Sequence, residues 1–76
     1  MGGIHNLKPE KVVKAFERAG WTVWGQKGSH VKLIKEGNSN ILSVPVHRGN
    51  PIKKGLLLNQ IKKANLKTEE FLKYYK

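Results

Sequence analysis

Apolar residues recur at helical spacing near both ends of the chain and alternate at strand spacing between them. Val12, Phe16 and Ala19 stand four and three residues apart, Val13 widens the stripe, and Lys11, Lys14, Glu17 and Arg18 fill the opposite side. Lys8-Pro9-Glu10 opens this helix, because proline at the first helical position forfeits no hydrogen bond and glutamate suits the positive end of the dipole. Gly20 closes it. Residues 21–24, Trp-Thr-Val-Trp, are β-prone, and residues 25–29 read as a turn into a second strand over 30–35. A further turn at 36–39 leads to a third strand over 41–47, where Pro45 near the end marks a position outside a full ladder. After a loop at 48–51, helical spacing returns over 53–65 through Leu57, Leu58, Ile61 and Ala64. Thr68-Glu69-Glu70 then reads as the cap and first turn of a short C-terminal helix carrying Phe71 and Leu72.

The predicted class is α+β, a small αβββα domain occupying residues 1–76. Its three-stranded antiparallel sheet carries the helices on one face, since each helix has one apolar stripe and an antiparallel sheet can stay solvated on its other side. Alternation assigns the faces: Val31 and Leu33 with Leu42, Val44 and Val46 look inward, and His30, Lys32, Ile34, Ile41, Ser43, Pro45 and His47 look outward. A hairpin around Gly37-Asn38 that pairs Ile34 with Ile41 sets His30 opposite Pro45, with His47 as its diagonal neighbour. The expected core is Val12, Phe16, Val31, Leu33, Val44, Leu57, Leu58 and Ile61. Trp24, Ile34 and Ile41 are left exposed unless a partner or the chain termini cover them. Trp21 and Trp24 are in the first instance packing residues, although an exposed Trp24 would suit base stacking.

Charge changes the picture. Fifteen Lys or Arg against five Glu and no Asp give a formal net charge of +10, and the basic residues run through every segment. Such a surface supplies salt-dependent affinity for a phosphate backbone, so nucleic acid is the leading partner class. Heat-adapted proteins also carry many lysines, but they enrich glutamate alongside them, and glutamate is scarce here. A membrane-surface role would want the basic residues concentrated on one amphipathic helix. No apolar run approaches the ~20 residues that span a bilayer. With no cysteine, a disulfide framework and a thiolate metal site are both excluded, and a cytoplasmic location is expected. Met1-Gly2-Gly3 carries Asn6 where a myristoylation signal wants Ser or Thr, so no lipid anchor is expected.

The absence of aspartate and the scatter of the five glutamates argue against carboxylate-pair or two-metal chemistry. The three histidines, His5, His30 and His47, lack compact ligand spacing, and residues 25–29 lack the phosphate-loop pattern, so neither metal nor cofactor is expected. What remains is imidazole. Histidine both takes and gives a proton near neutrality, and RNA supplies its own nucleophile, because a base that deprotonates a 2′-hydroxyl lets that oxygen attack the adjacent phosphorus. His30, with Lys27, Ser29 and Lys32 around it, has the residue types for this. From composition alone, a solvent-exposed histidine without a role is the better-supported reading. Lys53 and Lys54 before the second helix are placed to grip phosphates, or are simply solvated charge.

Gly20-Trp21, then Gln26-Lys27-Gly28-Ser29-His30 followed by Leu33, then Val44-Pro45-Val46-His47 and Pro51-Ile52-Lys53-Lys54-Gly55, resemble the HicA toxins of prokaryotic toxin-antitoxin modules. The likeness runs from about Leu7 to Phe71. The chain departs from many members in carrying Val31 and Lys32 just after the Gly-Ser-His element. The resemblance implies a fold like that of double-stranded-RNA-binding domains, ribosome-independent cleavage of mRNA, catalysis by His30, and a HicB-type antitoxin that covers the basic face. It also implies RNA binding or proton transfer by His47. A noncatalytic module that binds structured RNA through Lys32, Lys53 and Lys54 is the alternative.

Overall fold

The computed structural model describes residues 7–46 and 50–76; His5 and His47 lie outside the described residues. The order is α1 (Pro9–Arg18), β1 (Thr22–Lys27), β2 (His30–Lys35), β3 (Asn38–Pro45), α2 (Lys54–Lys63) and α3 (Thr68–Tyr75), and the strands form one antiparallel sheet in the order β1-β2-β3. This is the predicted α+β arrangement, an open three-stranded sheet with helices over its inward face.

Local chemistry explains the helix ends. At α1, Gly20 takes φ 105°, its N–H bonds the carbonyl of Glu17 and the N–H of Trp21 bonds that of Phe16. The end of α2 repeats the motif with Asn65 at φ 61°, Asn65 N–H on Lys62 and Leu66 N–H on Ile61. At α3 the first helical residue is Thr68, and Glu70 Oε1 accepts the Lys67 N–H at 2.9 Å, so the cap falls one residue before the predicted one.

The core joins Val12, Ala15 and Phe16 of α1 to Val31 and Leu33 of β2, Leu42 and Val44 of β3, Leu57 and Ile61 of α2, and Phe71 of α3. Phe16 and Phe71 pack with ring centroids 4.9 Å apart and their planes tilted by 47°. Arg18 donates to the carbonyls of Tyr74 and Lys76, and the Lys8 N–H donates to Tyr75 Oη, so α3 is fastened along α1. Trp21 is buried, as a packing residue.

Three expectations are corrected. Leu58 is 40% exposed and not in the core. The buried stripe of α2 is Leu57, Gln60 and Ile61, continued by the C-cap Ala64, and Gln60 holds a core-facing position because its Oε1 accepts the Ser43 N–H of β3 at 2.9 Å. That bond also satisfies an outward amide of the edge strand. Secondly, residues 25–27 belong to β1. A bulge between Val23 and Gly25 accommodates Trp24 as an extra residue, after which Gln26 pairs with Val31 and Lys27 with His30. Only Gly28-Ser29 is left as the turn. Gly28 takes φ 61° at the first central position, as a two-residue hairpin of this kind requires, and Gln26 Nε2 donates to its carbonyl at 3.0 Å. Thirdly, β3 starts at Asn38. The predicted register holds from His30↔Pro45 to Leu33↔Leu42, then shifts so that Lys35 pairs with Asn38. The Asn38 and Asn40 side-chain amides donate to the Lys63 carbonyl, tying the early part of β3 to the end of α2.

Candidate active site

The Gly28-Ser29 turn delivers His30 as the first residue of β2, exposed on the open face of the sheet. Lys27, the last residue of β1, is its backbone partner. The Ser29 carbonyl accepts the Val46 N–H at 2.6 Å, which binds the turn to the end of β3.

On that face His30 Nδ1 lies 3.2 Å from Ser43 Oγ, and Lys32 Nζ donates to the same oxygen at 3.1 Å. The register accounts for the trio: Ser43 is paired with Lys32, which makes it the diagonal neighbour of His30. An ammonium only donates, so Ser43 Oγ accepts from Lys32 and has both a second lone pair and its own hydrogen for His30 Nδ1. In the tautomer whose Nδ1–H donates to Oγ, Nε2 is left for proton exchange, and the same bond serves both the neutral and the protonated ring. Ser43 is itself held by Gln60 through its backbone N–H. A line of contacts therefore runs from the buried face of α2 to the imidazole.

His30 lines an open cavity of about 450 Å³ together with Pro45, Ile52, Lys53 and Leu56 among others. The Ile52 N–H bonds the Leu7 carbonyl at 3.1 Å, which anchors the segment entering α2. Lys53 is the N-cap residue of α2; no side chain caps this helix and its first turn has no acidic residue. Lys54, the first residue of α2, is exposed and outside the cavity lining among the described residues.

The structure thus brings together five of the residues singled out in the sequence, His30, Lys27, Ser29, Lys32 and Lys53; it leaves Lys54 to one side, and His47 falls outside the described residues. Ser43 was missed. The predicted register already made it Lys32's partner, but the diagonal followed from His30 was the one toward His47.

Ile34 and Ile41 lie on the same face, 38% and 51% exposed, and Trp24 at the bulge is 67% exposed. No helix of the described residues is long and apolar enough to cross a membrane.

A family model described as HicA toxin of bacterial toxin-antitoxin matches residues 9–66, well over half of the chain. No curated protein matches it.

Proposed function

The chain belongs to the HicA toxin family of bacterial toxin-antitoxin modules, and from that membership we propose that it is a cytoplasmic endoribonuclease that cleaves mRNA with His30 as general acid and base. The observation that carries the proposal is the exposed imidazole of His30, held at Nδ1 by Ser43 and flanked by Lys27, Lys32 and Lys53.

In this mechanism Nε2 of His30 removes the proton of a ribose 2′-hydroxyl. The 2′-oxygen forms a bond to the adjacent phosphorus as the bond to the 5′-oxygen breaks, and the departing 5′-oxygen takes the proton that Nε2 picked up, which returns the imidazole to its neutral form. The products are a 2′,3′-cyclic phosphate and a 5′-hydroxyl. Lys27 and Lys53 are assigned to stabilising the nonbridging oxygens as negative charge builds up on them. Lys53 and Lys54 also oppose the positive end of the α2 dipole, an arrangement that a bound phosphate would turn from unfavourable to favourable. Ser29 and His47 are assigned to RNA binding.

Incubating the pure protein with labelled RNA in EDTA tests the proposal. Fragments are expected; RNA that is shifted on a gel yet intact would favour the noncatalytic RNA-binding module instead.

Two further results are expected. Lys53→Ala should weaken RNA binding for many sequences alike and lower the slope of log affinity against log salt by about one unit, as measured by fluorescence anisotropy. Ser43→Ala should lower kcat by about tenfold, the equivalent of one net hydrogen bond, with KM unchanged. Ser43→Thr, which keeps the hydroxyl, should restore it. A Thr variant as slow as the Ala variant would mean that the serine acts through packing and not through its bond to His30.

The partner proposed for this face is a HicB-type antitoxin. Covering it would bury Trp24, Ile34 and Ile41, whose exposure is costly in the free protein, and would shield His30 from RNA.

A further inference from the structure

The proton-transfer chemistry of His30 leaves the aliphatic lining of the cavity it shares without a role. At about 450 Å³ the cavity lies within the ~300–1,000 Å³ range of small-ligand sites. Its lining is aliphatic at Pro45, Pro51, Ile52 and Leu56, and His30, Asn50 and Lys53 are the polar residues that line it. A phosphate alone would leave those walls unfilled. A flat, apolar-faced heterocycle with hydrogen-bonding edges would use both kinds of lining. Single-stranded RNA offers such groups when a base is turned out of the stack, and bases recognised in this way are sandwiched on their faces and read along their edges.

We propose that this cavity is a nucleobase subsite. It takes the base next to the phosphate that is cut, with Asn50 reading the base edge and Lys53 holding the backbone outside. Asn50 suits the task because its side chain offers one acceptor and two donors on a short stem. Seating that base fixes its ribose beside His30, since the imidazole lines the same cavity. The subsite thereby couples sequence preference to positioning of the 2′-hydroxyl. The inference rests on the RNA-cleavage proposal, and its two measurements separate the fates of the two.

The first measurement is an NMR titration of the full chain with the four nucleoside 3′-monophosphates. One or two of the four should shift the Ile52 and Leu56 methyl signals at lower concentration than the others. The second is sequencing of the fragments cut from a randomised RNA pool. Wild type should show a base preference beside the cut, and Asn50→Ala, an exposed substitution that spares the core, should reduce that preference by about fivefold or more. Leu56→Trp, which fills the cavity, should abolish the nucleotide-induced shifts and raise KM, with its amide spectrum confirming the fold. Methyl shifts without any RNA cleavage would keep the subsite and overturn the nuclease. Cleavage that ignores the flanking base, and that neither variant alters, would keep the nuclease and overturn the subsite. No methyl shift with any nucleotide would likewise overturn the subsite.

Discussion

His30→Ala should cleave RNA about 10²- to 10⁴-fold more slowly than wild type, the span expected when a general acid-base group is lost. The fold should survive, because His30 is an exposed residue at the start of β2 whose side chain contributes no core packing. RNA binding should also survive, because the charge that attracts phosphate resides on Lys27, Lys32, Lys53 and the other lysines of a chain with net charge +10. The loss should therefore fall on kcat, which separates removal of a reacting group from removal of a binding group. Expression of the variant should leave cell growth unimpaired where wild type arrests it. A folded variant that cuts at the wild-type rate would remove His30 from the mechanism and make His47 the next residue to replace.

Leu57→Ala should destabilise the protein by about 2 to 5 kcal/mol, while its neighbour Leu58→Ala should stay within about 0.5 kcal/mol of wild type. Leu57 is 1% exposed at the contact of α2 with the sheet, and truncation there removes buried methyl groups and leaves a cavity. Leu58 is 40% exposed and has little to lose. In a domain of this size, whose total stability is of order 5–15 kcal/mol, the first change is a large fraction of the whole. It should lower Tm by at least about 8 °C, as followed by circular dichroism. Equal losses for the two variants would mean that α2 is rotated about its axis from the orientation described.

That contrast also marks what the sequence could disclose. The α1 stripe was legible because Val12 and Phe16 face strongly polar neighbours, and Gly20 announced the end of the helix. In α2, Leu57 and Leu58 are equally apolar, and the choice between them depends on Gln60, whose place in the buried stripe follows from an amide of β3 far along the chain. Local pattern carries no trace of such a partner. Glycine at 25 suggested a turn for a similar reason: Gly25 stands at a bulge, and whether a glycine ends a strand or kinks it is decided by the strand opposite. At the site, alternation along β2 was enough to turn His30 outward, and the register to Pro45 followed. The diagonal from His30 to Ser43 was implicit in that register, whereas the cavity lined by residues 50–53 was out of reach, because it arises where segments distant in sequence meet beside β3.

The most direct test of the central claim uses two RNA substrates that differ only in a single 2′-deoxy substitution at the ribose preceding the preferred cut, each incubated with wild-type protein in EDTA. The account predicts that the all-ribose strand is cut there, leaving a 2′,3′-cyclic phosphate and a 5′-hydroxyl, while the substituted strand stays intact at that position. Equal cutting of both strands at that position, or an all-ribose strand left whole, would contradict it.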